Sequence, residues 1–239
     1  MGFGNSFGIS SETNNNIQTK GLVFYVDAAY KKSYPRSGAT TQNLANVVNS
    51  GSFQDDTSFS TDQGGAFNFD GTDDYIDIGS PIPQATTEVT VNVWFKATGP
   101  GSTNDAGGGS LFAGNPGLNH GPMFNYSWSD QQILFSIRVN QAFDYATGVS
   151  QNTIHNACGT FNKPTGKIYI NGVKKIEDDK DFNVTYQNST AGNRIGEWGY
   201  SSFQRNFNGQ IYSVQVYNRE LSASEVLQNY NAQKQRFGL

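Results

Sequence analysis

The sequence holds a single cysteine, Cys158, in 239 residues. An intrachain disulfide is therefore excluded, and with it the small secreted scaffold stapled by disulfides. Two histidines and one cysteine are too few for a structural zinc site of the usual composition. Charge is sparse as well. Lys and Arg number 16 against 20 Asp and Glu, a formal net charge of -4. No basic excess is available to meet a phosphate backbone, which argues against nucleic acid as a partner. Long apolar runs are missing too. The longest, Leu22 to Val26, is far short of the ~20 residues a membrane span needs, so no membrane insertion is expected. The start of the chain, MGFGNSFGISSETNNN, has neither a basic end nor an apolar core. No signal peptide is expected, and synthesis in a reducing cytosol is.

What is abundant is glycine, asparagine, serine and threonine, together with 17 Phe, 12 Tyr and 3 Trp. Such a mixture suits short strands joined by turns, with aromatics on the strands. Residues 1–19 carry Phe3, Phe7 and Ile9 among polar residues without periodicity and read as an N-terminal arm. Residues 20–239 read as one domain. In EVTVNVWFK, Val89, Val91, Val93 and Phe95 share one face, and Thr90, Asn92, Trp94 and Lys96 the other. ILFSIRVN and IYSVQVY alternate in the same way, the latter with Tyr212, Val214 and Val216 on one face. Two hairpins are expected, one at Asp70-Gly71 between Phe67/Phe69 and Tyr75/Ile76, the other at Asn171-Gly172. Residues 99–110, GPGSTNDAGGGS, read as a surface loop. One helix is expected near the C-terminus. Ser222 and Glu225 form a capping box, Leu221 and Val226 a staple, and Val226, Leu227 and Tyr230 an apolar stripe. The fold class is all-β: a two-sheet antiparallel jelly-roll sandwich with one short C-terminal helix and an N-terminal arm.

FDGTDDYIDI, EVTVNVWFK, IHNACGTFNKPTGKIYINGVKK and FNGQIYSVQVYNRELSASEVLQNYNA resemble the concanavalin A-like lectin/glucanase superfamily, in its laminin-G-like and pentraxin-like branch. The resemblance runs from about Gly21 to Ala232. It departs from the branch at Ile154 and near Thr41, where relatives often carry Trp. It implies two antiparallel sheets packed face to face. With the arm and the absent leader, it is similar to the stand-alone jelly rolls of tailed-phage virions. On that resemblance the chain is expected to be a non-enzymatic virion surface protein on capsid or tail, made in the host cytoplasm. Its partners would be other virion proteins, reached through the arm, further copies of itself, and host-surface polysaccharide. A dedicated carbohydrate-binding lectin module and an atypical polysaccharide-cleaving enzyme are the alternatives.

The residues bear on these alternatives directly. Laminarinase-type relatives carry Glu-x-Asp-x-x-Glu on one strand, so that paired carboxyls flank the scissile bond. None of the six glutamates here has that spacing, and no catalytic residue is assigned. The acidic run Glu177, Asp178, Asp179, Asp181 reads as a solvated turn. Gly4-Asn5-Ser6-Phe7-Gly8 matches a nucleophile elbow but lacks the strand and helix the elbow needs. His155 and Cys158 fall on opposite faces of one strand, so they form no thiol–imidazole pair. Calcium wants several oxygens on one turn. Asp70, Asp73 and Asp74 offer them, but Asp-Gly turns favour aspartate for backbone reasons too. The acidic cluster that pentraxin-like relatives use for calcium is missing near Glu197. No metal site is assigned, and calcium is the one cofactor left open. Carbohydrate contact is assigned to Tyr126 and Trp128 in NYSWSD and to Trp198 and Tyr200 in EWGYSS, both read as inter-strand loops. An aromatic face stacks on the C–H face of a sugar ring, and neighbouring amides bind its hydroxyls.

Overall fold

The structure, a computed structural model, describes residues 16–45, 50–79, 87–101, 108–114, 120–138, 141–142, 144–180, 192–200 and 203–239. The side chains of 120, 138, 141, 142, 200 and 203 also lie outside it. Phe3, Phe7, Ile9 and the Gly4–Gly8 motif are outside the described residues, as are residues 139 and 181.

In chain order the strands are β1 (Leu22–Asp27), β2 (Thr40–Thr41), β3 (Gly51–Gln54), β4 (Ser58–Ser60), β5 (Ala66–Asp70), β6 (Tyr75–Asp77) and β7 (Glu88–Ala97). There follow β8 (Gly109–Ala113), β9 (His120–Ser127), β10 (Gln132–Arg138), β11 (Gln141–Ala142), β12 (Ala146–Thr147), β13 (His155–Asn162) and β14 (Thr165–Ile170). The last are β15 (Val173–Asp179), β16 (Arg194–Ile195), β17 (Glu197–Tyr200), β18 (Phe203–Asn206) and β19 (Asn208–Tyr217), before helix α1 (Ala223–Gln233). They build two antiparallel sheets. The first has the order β15-β14-β13-β7-β19-β5-β4, with β1 also paired to β19. The second has the order β11-β10-β9-β8-β16-β6-β3-β2, with β12 on β10. This is the jelly-roll sandwich expected from the sequence.

Alternation decides which side chains meet between the sheets. Val89, Val91, Val93 and Phe95 of β7 face Phe112 of β8, Phe124 of β9 and Ile133, Phe135 and Ile137 of β10 in one buried cluster. The opposite face of β7 is buried as well, because α1 and the C-terminal tail cover it. Cys158, Tyr169, Tyr217, Leu221 and Val226 form one cluster there, and Ala66, Trp94, Tyr212 and Phe237 another. Ile154, at one position where relatives carry Trp, packs against the second of these. Between the two clusters lies a buried polar chain. Asn156 Nδ2 donates to Asn92 Oδ1 (2.9 Å), and Asn92 Nδ2 to Gln215 Oε1 (2.9 Å). Asn229 Nδ2 donates to the Tyr217 hydroxyl (2.9 Å), which donates to the Gln18 carbonyl (3.0 Å). The Gln18 N–H returns to Asn229 Oδ1 at 2.7 Å. Residues 16–20, expected as the end of the arm and the first residue of the domain, are thus strapped onto α1.

The helix starts where its capping box predicts. Ser222 Oγ accepts from the Glu225 N–H, and the Glu225 carboxylate accepts from the Ser222 N–H. Arg219 grips the same carboxylate with two nitrogens at 2.8 and 2.7 Å, and the carboxyl pKa falls to about 2. Within the expected stripe Val226 is buried, but Leu227 is 45% exposed and Asn229 takes the inward position. Asn171 (φ 51) and Gly172 (φ 75) make the expected left-handed turn, joining β14 to β15.

Four expectations need correction. The Asp70-Gly71 turn is not a hairpin: β5 pairs with β19 and β4 in the first sheet, whereas β6 pairs with β16 and β3 in the second. The turn carries the chain across the sandwich edge. Tyr212 does not share a face with Val214 and Val216, because a bulge between Ile211 and Ser213 turns it outward onto Phe237. Gly109 and Ser110 are not loop residues but the buried start of β8. A Cβ on Gly109 would lie 2.5 Å from the Phe207 backbone, so the glycine serves close packing. Glu177, Asp178 and Asp179 form not a turn but the end of edge strand β15, where Lys174 pairs with Glu177 and Lys180 with Asp178. A charged edge resists pairing with another sheet.

Candidate functional site

Among the described residues, α1 packs on the first sheet and no helix covers the outer face of the second. Asn125 on β9 and Leu134 and Ser136 on β10 alternate with inward-facing core residues and point to this side. The two-stranded ribbon β17–β18 folds back over β8, with Trp198 packed on Ala113 and Met123. The Arg205 guanidinium lies over the Trp198 ring, 5.4 Å from its centroid. Beside the ribbon is a depression of about 420 Å³, lined by Asn125, Ser127, Asp130, Gln132, Tyr145 and Arg205, with Leu134 on its floor. Tyr145 is 53% exposed and is the large aromatic on its wall. Asn125 is buried, and its Oδ1 has no donor among the described residues. Asp130 accepts from Ser127 Oγ at 2.7 Å.

The sequence assigned this role to Tyr126, Trp128, Trp198 and Tyr200, and the first three stand in different surroundings. Tyr126 is a strand residue, not a loop residue. Its ring lies in the core against Phe95 (5.7 Å), and its hydroxyl donates to the Val149 carbonyl at 3.0 Å. Burial raises its pKa to about 12. Trp128 is half-buried at the end of the sandwich, and its carbonyl accepts from Gln151 Nε2. Trp198, in the ribbon strand β17 itself, is 7% exposed because it packs down on Ala113 and Met123. Tyr200 lies in β17, with its side chain outside the described residues. Of Tyr126, Trp128 and Trp198, Tyr126 borders the depression; its exposed aromatic is Tyr145, and Arg205 beside it is half-buried. The segment AFDYATG around Tyr145 has no periodicity to mark it, and Arg205 is recognisable only once the ribbon is folded.

Carboxyl chemistry is sparse here. Asp130 is the one carboxylate among the described lining residues. Glu197 is buried at the start of the ribbon strand β17, where Arg194 holds it while stacking on Tyr75 at 4.3 Å. Burial pushes its carboxyl above the usual range. His155 faces Phe95 between the sheets, and burial lowers its pKa. Cys158 faces α1 on the other side, so the strand keeps thiol and imidazole apart. A larger depression, about 940 Å³, runs between residues 16–22, Tyr30 and the C-terminal tail. Its main polar groups bind one another: Asp27 pairs with Arg236 at 2.7 Å and accepts from Tyr25 and Gln233.

Two antiparallel sheets packed face to face define the protein as a jelly-roll sandwich. Residues 70–227 match the Laminin_G_3 model of the concanavalin A-like lectin/glucanases superfamily, and the chain belongs to that family. No curated protein matches the sequence. Among solved structures, domain 4 of AbnA, a GH43 extracellular arabinanase from Geobacillus stearothermophilus in complex with arabinotriose, is similar in fold (TM-score 0.63, 13% identity). That likeness covers 87% of this chain and 98% of the domain. The receptor binding domain of botulinum neurotoxin type G is similar too (TM-score 0.62, 16% identity, 90% of this chain). So is Trypanosoma rangeli sialidase in complex with the inhibitor DANA (TM-score 0.62, 12% identity, 92% of this chain). The likeness spans 52% of the neurotoxin domain and 34% of the sialidase.

Proposed function

We propose that this protein is a non-catalytic carbohydrate-binding module that takes an oligosaccharide in the groove beside β17–β18. The carrying observation is the exposed ring of Tyr145 on the wall of a depression lined by the Asn125 and Gln132 amides and the Arg205 guanidinium. An aromatic face binds the C–H face of a sugar. Planar amides and a guanidinium reach adjacent hydroxyls in pairs. The volume falls within the range of small-ligand sites. The arabinotriose bound to the similar arabinanase domain supports the ligand class. Asp130, the one carboxylate among the described lining residues, supports a binding role, because glycoside hydrolysis needs two carboxyls across the bond. The test is calorimetric titration with a panel of arabino-, gluco- and galacto-oligosaccharides. Tyr145→Ala is expected to weaken the binding sugar about tenfold and to leave stability within ~0.5 kcal/mol. Equal affinity in the variant, or no heat from any sugar, contradicts the reading.

We further propose that the module works on the surface of a tailed-phage virion, attached through residues 1–15 and turned toward host polysaccharide. The apolar residues Phe3, Phe7 and Ile9 in a polar segment support attachment by that segment. The strap at Gln18 sets where a clean truncation must stop. Removing 1–15 is expected to abolish incorporation into particles at an unchanged melting temperature. Normal incorporation of the truncated protein overturns this setting.

A further inference from the structure

Tyr145 stands just before a short element. It precedes β12, a strand of two residues paired to β10, with Thr147 opposite Gln132 and Ala146 opposite Ile133. Ala146 is buried in the core between the sheets, and alternation leaves Tyr145 outside. Two residues of pairing fall below the usual length of a strand. The segment that carries the exposed ring therefore depends on other anchors.

Those anchors come from beneath. The Tyr126 hydroxyl donates to the Val149 carbonyl at 3.0 Å, and Val149 is fully buried. The Val149 N–H donates to the Gln131 carbonyl at 3.2 Å. Gln151 Nε2 donates to the Trp128 carbonyl at 2.8 Å. His155 Nε2 lies 3.2 Å from the Ser150 carbonyl, and the Asn152 N–H donates to the Ala97 carbonyl at 2.8 Å. The hairpin of β9 and β10 and the residues after β12 are thus sewn together along their length. Of the side-chain anchors Tyr126, Gln151 and His155, Tyr126 also borders the depression. Its ring packs in the core against Phe95, so its hydroxyl is presented to Val149 by a side chain that is itself fixed.

On the carbohydrate-binding reading above, we propose that Tyr126 is a positioning residue of the groove. Its hydroxyl fixes the Val149 carbonyl and so holds the Tyr145 ring on the wall before a sugar arrives. An aromatic contact ordered in advance gives up less freedom on binding than one the ligand must order. Tyr126 serves the site through Tyr145, and by its hydroxyl rather than by a stacking face.

Tyr126→Phe in the full chain removes the hydroxyl and keeps the ring. Calorimetry with the oligosaccharide that binds the parent best is expected to show affinity about three- to tenfold lower, the loss of one hydrogen bond. Amide hydrogen exchange reads the anchor itself. The Val149 amide is expected to exchange about fivefold faster or more, with the amides of β7 and β13 unchanged. A substitution that only loosened the sandwich would speed those strands too. In the Tyr145→Ala background, Tyr126→Phe is expected to change affinity by less than about twofold, because the two residues act in series. Gln151→Ala frees the same segment from a half-buried position. It is expected to weaken binding in the same direction, and it stands in if Tyr126→Phe folds poorly. Unchanged affinity in Tyr126→Phe, where Tyr145→Ala weakens binding, overturns the proposal and leaves the carbohydrate reading standing. Full additivity of the two substitutions, or unchanged exchange at Val149, overturns it as well. No heat from any sugar overturns the carbohydrate reading, and the positioning role falls with it.

Discussion

Trp94→Ala is expected to destabilise the fold by about 3–5 kcal/mol, the cost of emptying a buried aromatic site. Trp94 is fully buried, yet it points away from the space between the sheets. Its indole stacks on Phe237 at 4.3 Å and on Tyr230 at 5.5 Å, and Tyr212 meets Phe237 edge-on at 5.1 Å. One side chain of β7 therefore seats both α1 and the tail after it. The indole N–H has no acceptor among the described residues. Trp94→Phe thus gives up area without breaking a hydrogen bond, and it is expected to cost less than half as much. Urea unfolding of the three proteins measures both values. A loss below ~1 kcal/mol for the alanine variant would mean that the helix and tail are held elsewhere.

Gly159→Ala is expected to cost about 2–3 kcal/mol, from a single added methyl group. Gly159 lies mid-strand in β13, between Cys158 and Thr160, and its inner face looks across to the second sheet. A Cβ there would sit 2.5 Å from Cδ2 of Phe135. Phe135 is fully buried and packs edge-on against Phe124 at 5.5 Å, so its ring has nowhere to move. The melting temperature is expected to fall by about 4–12 °C. Adding Phe135→Leu to the alanine variant should recover part of the loss, because the two sites share one volume. Strict additivity of the two substitutions would place the strain elsewhere.

Features encoded locally were legible in the sequence. The alternation of β7, the Asn171-Gly172 turn and the Ser222/Glu225 capping box each lie within a few residues, and each stands in the structure as read. Features that depend on a distant partner were not. Asp70-Gly71 has the chemistry of a hairpin, but β5 takes its partner from β19, well over a hundred residues away. The same turn therefore serves as a crossing between sheets. Tyr212 obeys the alternation until the bulge after Ile211 shifts it. Tyr34, Phe53, Phe59 and Phe67 come from separate segments, yet they pack into one aromatic group. The site was harder still. NYSWSD looks like a loop, although Phe124 and Tyr126 alternate inward with Ile133 opposite Tyr126, a signal that periodicity could have supplied. Trp198 loses its exposure because its own ribbon folds over β8, and nothing in EWGYSS announces that.

The most direct measurement is a side-chain amide and backbone NMR map of the protein, titrated with the oligosaccharide that binds best. The account predicts shifts confined to Asn125, Gln132, Tyr145, Arg205 and their neighbours on the outer face of the second sheet. Shifts gathered instead around Tyr30, Gln233 and Arg236, in the larger depression by the C-terminal tail, would contradict it.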